Sequence, residues 1–468
     1  MTGTHLPQNN RTLAFAVLAA VQATLIFTIA LITVPLPVIA DEFHLTAADM
    51  LLVLAAYGLP FSGLLLFGGR LADRFGGRCM FAIGLIVFGV SSAIAAGSPS
   101  FPVLVAMRLA QGIGGAMVAP AAMAVLRALF PEPAAFGRAM ATWGGVSVLG
   151  AVLGFIVSGV LTSWISWRWM FAIPVAVSLI GLSAAVELLP RGRSANKDRK
   201  PTLDLVGAVF ATLGISLSSF GLIATDDHGW TSMMVLLPLL TGLALLIAFF
   251  LIERKVRDPL LPPGFILEPV RITGLVGMFL AAAGSGVVNF VLSLYLQQVL
   301  GWSPLMTAVA FLPFAVALIA TGQAAAPLVG RFGPARITGV GLMLAAVGLG
   351  LLTQLAPETR YLQGLLPGLV LVAVGISLAF SGSAVLSMTN VPQHRAGLAG
   401  GVMNTAMELG PTVGLAILMS VAATQVETVT GYAWAFGTAA MAYTIVALLS
   451  FAFSGRATTS AAAGASHE

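Results

Sequence analysis

The sequence predicts an all-α membrane protein of fourteen transmembrane helices, arranged as two six-helix bundles with two helices inserted between them. Hydrophobic residues make up 58% of the chain and charged residues only 8%, whereas a soluble domain carries about 25% charged residues. Apolar runs long enough to cross a bilayer recur along the whole chain. The single Cys79 excludes an intramolecular disulfide, and no spacing of His or carboxylate residues indicates a metal site.

Apolar segments of about 17–28 residues set the order of the elements. The first segment is too long for a signal-peptide core and lacks a small-residue cleavage site, so we interpret it as a retained span. The predicted spans are 12–40, 50–69, 80–97, 101–127, 137–162, 168–189, 204–225, 231–252, 271–299, 304–328, 337–355, 364–389, 397–423 and 432–454.

The spans group into domains at the longest polar link of the chain. This grouping predicts an N-terminal six-helix bundle (12–189), a cytoplasmic linker (190–203), two inserted helices (204–252), a C-terminal six-helix bundle (271–454) and a disordered Ala/Ser/Thr-rich tail (455–468).

The distribution of basic residues supports this count. With a cytoplasmic N-terminus, the Lys and Arg residues lie on the inner side or at its helix ends, except Arg108, Arg168 and Arg360. A miscounted span would scramble this alternation, so the positive-inside rule favours fourteen spans and cytoplasmic termini. Because the basic residues lie beside membrane spans rather than on one continuous face, the net charge of +5 does not indicate a nucleic-acid partner.

The two halves of the chain resemble each other. The stretch from Gly69 to Arg78 links two spans, and a shorter copy without its aspartate runs from Gly330 to Arg336. These copies align spans 1–6 with spans 9–14. Paired helical repeats are the architecture of alternating-access transporters, whose substrate site lies near the middle of the membrane.

Several short motifs together resemble one branch of a known family. They are Gly69–Arg78 between the second and third spans, Arg108–Gly114 in the fourth, Trp167–Phe171, Tyr295–Leu305, and Gly397–Gly401 followed by Asn404-Thr405. From about residue 13 to 455 the chain resembles the fourteen-span drug–proton antiporters of the major facilitator superfamily.

The resemblance implies a multi-pass protein of a bacterial cell membrane that exports small amphipathic drugs or antibiotics by proton antiport. Its partners would be the amphipathic substrate, protons and the lipid bilayer, and we expect a monomer. We expect no cofactor, because the proton gradient would supply the driving force. The sequence contains no P-loop and no nucleophile–base constellation, so we expect neither ATP drive nor an enzyme.

The chain departs from the family pattern at two places. Thr28 stands where the first span of such antiporters carries an aspartate, and Gly150-Ala151 and Gly154-Phe155 replace the usual fifth-span motif. These departures leave open a proton-independent facilitator or importer of a small metabolite. A non-transporting membrane sensor or scaffold is a third alternative.

Two charged residues lie within predicted spans. Glu408 is well inside the thirteenth span, where an ionised and unpaired carboxylate would cost several kcal/mol. We therefore predict a site that accepts a proton or a substrate; the alternative is a Glu hydrogen-bonded to a neighbouring helix for packing. Arg108 needs acceptors such as helix carbonyls, Gln111 or a carboxylate. The resemblance associates it with proton transfer, and the alternative is that it holds the fourth helix against its neighbours.

The motif between the second and third spans predicts a gate formed by Gly69, Asp73, Arg74 and Arg78. Asp73 would cap the N-terminus of the thirteenth helix near Gly397, while Arg74 or Arg78 pairs with the carboxylate. Such a contact would close the inner side in the outward-facing state. The alternative is that the arginines only hold the loop on the cytoplasmic side.

Polar and aromatic residues in the middle of spans are the candidates for substrate binding. They are Gln22, Thr28, Gln111, Asn289, Phe380, Ser381, Ser383 and Asn404. A largely apolar cavity with few acids suits a neutral, aromatic or weakly basic amphiphile.

Overall fold

The structure, a computed structural model, is helical throughout the residues that it describes. These are 8–32, 35–45, 47–190, 204–225, 229–256, 259–302, 304–356, 358–392 and 395–464. Within them, 12 helices are long and apolar enough to cross a membrane. Two further helices, of 29 and 32 residues, lie at the predicted second and fifth spans, and both include side chains that the structure does not describe. The count of fourteen therefore stays a prediction.

The chain divides into two compact units. Unit 1 consists of residues 1–131, 146–266 and 390–405, and unit 2 of residues 132–145, 267–389 and 406–468. The two predicted inserted helices belong to unit 1. Two long helices each contribute residues to both units. The predicted linker, apart from residue 190, lies outside the described residues.

The helices of the first part of the chain follow the predicted order. They are α1 (Gln8–Leu31), α2 (Leu36–Phe43), α3 (Ala47–Phe75), α4 (Gly77–Ala96), α5 (Phe101–Leu129), α6 (Pro133–Trp164), α7 (Ala172–Glu187, preceded by a 3-10 turn over Trp167–Phe171), α8 (Leu205–Ile223) and α9 (Met233–Glu253).

The remaining helices include two short ones and two π-helical turns. They are α10 (Pro263–Ile266), α11 (Pro269–Leu294, continued by a π turn over Tyr295–Val299), α12 (Pro304–Ala310), α13 (Leu312–Phe332), α14 (Pro334–Leu351), α15 (Leu366–Met388, preceded by a π turn over Tyr361–Leu365), α16 (Ala396–Ala422) and α17 (Thr428–Gly464).

The ends of the helices differ from the prediction at three places. The predicted span 12–40 is two helices, because Pro35 precedes α2 and proline cannot donate the backbone hydrogen bond that a continuous helix requires. The predicted span 304–328 is likewise divided, between α12 and α13. At the other end, α17 continues to Gly464, into the segment for which composition predicts disorder, since its alanines favour a helix.

The two copies of the internal repeat have the same local geometry. Gly76 precedes α4 with φ of 93°, and Gly333 precedes α14 with φ of 83°. Both angles lie in the region that glycine tolerates without a Cβ penalty. In each copy the preceding arginine lies over the next phenylalanine, Arg74 over Phe75 at 5.6 Å and Arg331 over Phe332 at 5.3 Å. Each copy thus forms the same turn between two helices.

Candidate functional site

A buried polar cluster in unit 1 is centred on Arg108 of α5. The Arg108 side chain is 1% exposed. Its Nη1 atom donates to the backbone carbonyl of Thr28 at 3.2 Å and to Oε1 of Gln111 at 3.3 Å. Gln111 in turn donates to Oγ of Ser92 at 2.7 Å. The prediction that Arg108 finds its acceptors in a helix carbonyl and Gln111 is confirmed, and none of these acceptors is a carboxylate.

An aromatic ring completes the surroundings of Arg108. The guanidinium carbon lies 4.8 Å from the centroid of the Tyr57 ring, a distance at which a cation is attracted to the ring face. Tyr57 is held in turn by its hydroxyl, which donates to the carbonyl of Leu25 at 2.9 Å. Gly112 allows this approach, because a Cβ there would lie 2.4 Å from the Tyr57 carbonyl oxygen. Sequence reasoning missed Tyr57 and Ser92. The glycines after Gln111 were the available signal, since they indicate that another helix lies against α5.

The Thr28 hydroxyl bonds within its own helix rather than to Arg108. It donates to the carbonyl of Thr24 at 2.7 Å, one turn back in α1. Thr28 is fully buried, so its hydroxyl satisfies its own helix rather than a neighbour. The position that carries an aspartate in the resembling antiporters therefore contributes only a backbone oxygen here.

Asp73, near the end of α3, binds the start of α16, as the sequence predicts. Its Oδ1 accepts from the backbone N–H of Gly397 at 2.5 Å, and Oδ2 accepts from that of Leu398 at 2.7 Å. Both partners lie in unit 1, which includes residues 390–405. A carboxylate that accepts the first free N–H groups of a helix also interacts favourably with the positive end of its dipole.

Gly69 lies on the same contact between α3 and α16. A Cβ on Gly69 would lie 2.4 Å from the carbonyl oxygen of Gly397, and one on Gly397 would lie 2.3 Å from that of Gly69. Side chains at either position would separate the helices. The two glycines therefore bring the N–H groups of Gly397 and Leu398 within reach of Asp73.

The sequence predicts that Arg74 or Arg78 pairs with Asp73, and Arg78 has other partners. Arg78 donates to the carbonyls of Val186 at 2.9 Å and Leu189 at 3.3 Å, and so satisfies the end of α7. The prediction that Arg78 pairs with Asp73 is wrong, because free carbonyls at a helix end offer this guanidinium acceptors that the sequence does not reveal. The Arg74 guanidinium lies over the Phe75 ring. The cations that act on Asp73 are Arg70 and Arg395.

Desolvation dominates the electrostatics of the Asp73 carboxyl group, which lies beyond the predicted second span. Burial raises its pKa to about 7, against the lowering effects of the Leu398 and Gly397 N–H groups and of Arg70 and Arg395. The carboxyl group can therefore gain or lose a proton near neutral pH while it contacts α16.

Glu42 and Arg168 form an exposed ion pair in unit 1. The Arg168 guanidinium donates to both oxygens of Glu42, at 2.7 and 2.9 Å, and the Trp167 indole donates to Glu42 at 2.8 Å. Hydrogen bonding to Arg168 is the main reason that the pKa of Glu42 is lowered. Arg168 is one of the three arginines that do not lie on the predicted cytoplasmic side, and Glu42 is its partner.

The candidates for substrate binding in unit 2 are held by helix packing. Ser381 donates to the carbonyl of Ser377 at 3.0 Å, and Ser383 lies against Gly277 of α11. Phe380 is 4% exposed, and Asn289 donates to the carbonyl of Ser285 at 2.8 Å. The Ser383 hydroxyl itself has no hydrogen-bond partner within the described residues. The role of all four side chains in substrate binding stays a prediction.

Glu408 lies in the middle of α16 and belongs to unit 2. Its side chain is half-buried, and within the described residues its carboxylate accepts no hydrogen bond and forms no ion pair. Three residues further on, Pro411 lies against Gly286 of α11. An intramembrane carboxylate without a protein partner needs a proton, a cation or water. Glu408 therefore stays the predicted site for a proton or a substrate.

Two buried amide side chains in unit 1 keep an acceptor unused. Gln22 is 2% exposed and Asn404 is 1% exposed, and the side-chain oxygen of each lacks a donor within the described residues. The Asn404 amide nitrogen donates to the carbonyl of Gly400 at 2.8 Å. Such oxygens are available to a donor on a bound molecule.

The fold, with its membrane-length helices and an arginine buried within one of them, is that of a membrane transport protein. The chain belongs to the Major Facilitator Superfamily, whose profile matches residues 16–415 and 274–467.

Individual relatives agree with the family match. The chain is 35% identical to the puromycin resistance protein pur8 of Streptomyces alboniger, over 89% of this chain and 82% of that protein. It is also 35% identical to the cephamycin export protein CmcT of Amycolatopsis lactamdurans, over 90% of this chain and 87% of that protein. The human organic anion transporter MFSD10 has the same fold, with a TM-score of 0.65 at 18% identity over 95% of this chain and 100% of that one.

Proposed function

We propose that this protein exports small amphipathic antibiotics or drugs across a bacterial cell membrane in exchange for protons, by alternating access. The observation that supports export is 35% identity, over about nine-tenths of the chain, to proteins named for puromycin resistance and cephamycin export. In this proposal the chain has fourteen spans, cytoplasmic termini and a monomeric state, and it uses no cofactor besides the proton gradient.

Glu408 is the proposed coupling acid. Its carboxylate has no partner within the described residues, so either a proton or a cationic group of the substrate can neutralise it, but not both at once. Competition of this kind is the minimum requirement for antiport. Gln22 and Asn404, with unused oxygens, are the proposed hydrogen-bond acceptors for substrate.

Asp73 is the proposed gate. It holds the start of α16, and Glu408 lies in the same helix twelve residues along the chain from Ala396. Release of the Asp73 contact would free the start of the helix that carries the coupling acid. Gly69 permits the close approach, Arg74 lies over Phe75 in the turn, and Arg78 holds the end of α7.

A proton-independent facilitator is the second candidate, and one observation favours it. The partners of Arg108 within the described residues are a backbone carbonyl, an amide and an aromatic ring, and none of them is a carboxylate that could take up a proton.

Transport driven by a pH gradient distinguishes the two candidates. Proteoliposomes containing wild type or Glu408→Gln would be loaded with puromycin or a cephamycin, and uphill movement would be followed with and without an uncoupler. We expect uphill transport by wild type and only downhill exchange by the variant. Equal, pH-independent downhill transport by both proteins would establish the facilitator instead.

A further inference from the structure

The ends of the two inserted helices bring two carboxyl groups together. Asp204 precedes α8 and caps it, since its Oδ1 accepts from the N–H of Gly207 at 2.7 Å. Glu253 is the last residue of α9 and is 1% exposed. Its Oε2 accepts from the N–H of Leu261 at 2.9 Å. Each side chain therefore uses one oxygen to fix the backbone.

The other two oxygens face the same small space. Oδ2 of Asp204 and Oε1 of Glu253 are buried, and neither has a donor within the described residues. A Cβ on Gly207 would lie 2.5 Å from Glu253 Oε1 and 2.7 Å from Asp204 Oδ2. Because both oxygens lie this close to one point, they are no more than about 5 Å apart. Two buried carboxylates at this distance repel each other, which favours a proton on one of them.

Among the described residues, no basic side chain forms an ion pair with Asp204 or Glu253. Arg70, on the packed helix α3, uses its Nε to donate to the carbonyl of Leu260 at 2.8 Å. Arg254 and Lys255, which follow Glu253, are exposed. Arg257 and Asp258 lie outside the described residues. Asp204 is the charged group that acts on Glu253.

We propose that Asp204 and Glu253 form a proton-binding carboxyl pair, a site separate from Glu408, at the end of the inserted helices that is predicted to be cytoplasmic. Loss of that proton leaves two neighbouring negative charges away from solvent, which repel each other. The site rests on the geometry of the pair and does not depend on the proposed export.

The pair is connected to the motif that contains Asp73. Glu253 holds the N–H of Leu261, and Arg70 holds the carbonyl of the preceding Leu260. Arg70 is also one of the cations that act on Asp73. In addition, Ser216 of α8 donates to the carbonyl of Leu59 in α3 at 3.0 Å. The proton on the pair thus stabilises the segment that positions Arg70, which gives the inserted helices a role in sensing proton concentration.

Infrared difference spectra of the purified full-length protein test the site. Spectra at about pH 6 and about pH 9, on either side of neutral, would be compared for wild type, Asp204→Asn and Glu253→Gln. Asn is as good a helix cap as Asp, so the first variant keeps its fold. Glu187→Gln is the matched control, because Glu187 is an exposed carboxylate at the end of α7. Between the lower and the higher pH, wild type and the control should lose the carbonyl signal of one protonated carboxyl group. Both pair variants should lack this change.

Thermal unfolding provides a second readout. Because the folded pair holds its proton more tightly than the unfolded chain, the stability that the pair contributes falls as pH rises. We expect the unfolding temperature of wild type to fall more steeply with pH than that of Glu253→Gln. Gly207→Ala, which places a methyl group between the carboxyl groups without changing charge, should behave like Glu253→Gln. Identical infrared and unfolding profiles for wild type and all three pair variants would overturn the proposal.

Discussion

Arg108 binds the backbone of Thr28 and not its side chain. The guanidinium donates to the Thr28 carbonyl at 3.2 Å, while the Thr28 hydroxyl bonds within its own helix. The resembling antiporters have an aspartate at this position, where a carboxylate would face the arginine. In this protein an arginine remains in the interior of unit 1 without a counter-ion among its described contacts. Proton exchange in unit 1 would therefore need a titratable group other than residue 28. A carboxylate placed at position 28 should change the pH dependence of transport.

Thr28→Asp should add a new pH dependence to transport. The new carboxylate would lie beside Arg108 and form an ion pair whose attraction is offset by desolvation, so we expect a change in stability within about 1–4 kcal/mol. The pH dependence of transport in proteoliposomes should gain a second titration. Thr28→Asn is the control, because its shape is the same and it does not titrate. Matching pH profiles for the two variants would mean that this position does not communicate with transport.

Raising the pH should weaken the contact between Asp73 and α16. The pKa of Asp73 is raised from its ordinary 3.8 to about 7 in this conformation, so the contact binds a proton more tightly than a solvated carboxylate does. Acid therefore favours the contact, and its advantage is lost as pH rises through about 7. Hydrogen exchange at Gly397 and Leu398, corrected for intrinsic rates, should show protection that falls over this range.

Asp73→Asn should remove this pH dependence. Asparagine keeps an acceptor oxygen for one N–H but cannot titrate, and losing the other bond should cost about 0.5–1.5 kcal/mol. Glu132→Gln, an exposed change outside this contact, is the control. If protection at Gly397 and Leu398 fell with pH equally in Asp73→Asn and in wild type, Asp73 would not be the titrating group.

Gly69→Ala should separate α3 from α16. The added Cβ would lie 2.4 Å from the Gly397 carbonyl oxygen, so the backbone must move, which we expect to cost about 1–3 kcal/mol. Gly330→Ala is the matched control in the second copy of the motif, because a Cβ there meets nothing within 4 Å. The unfolding temperature should be clearly lower for Gly69→Ala than for wild type, and should not be lowered for Gly330→Ala. Equal unfolding temperatures would mean that the contact is not tightly packed.

The sequence predicts the parts of these sites that depend on local motifs. The cap of α16 by Asp73 could be predicted, because an acid at one helix end and a glycine-rich start of another helix are both visible in the sequence. The sequence predicts which kinds of group accept hydrogen bonds from Arg108. It also indicates Gln111 in particular, because residues three apart lie on the same face of a helix. Pro35 also indicated the break between α1 and α2, but the apolar run 12–40 is continuous in hydropathy and was therefore interpreted as one span.

The remaining features depend on contacts between residues distant in the chain. Tyr57 lies beside Arg108 because α3 and α5 pack through Gly112, and no residue near Tyr57 indicates that partner. Ser381 and Ser383 lie in α15, which is buried on nearly all sides, so its sequence has no polar stripe to show which face packs. Asp204 and Glu253 lie at the ends of two neighbouring helices, and only the fold brings them together.

Arg78 offers a test of whether the arginines of the motif act with Asp73 or apart from it. Arg78 bonds to the Val186 and Leu189 carbonyls at the end of α7, whereas Asp73 bonds to α16. Residues without shared partners contribute independently, so the losses of unfolding free energy from Arg78→Ala and Asp73→Asn should add in the double variant to within about 0.5 kcal/mol. A double-mutant cycle by thermal or denaturant unfolding measures this. A coupling above about 1 kcal/mol would mean that Arg78 supports Asp73 after all. Additivity would assign Arg78 to the end of α7 and leave Arg70 and Arg395 as the cations that tune Asp73.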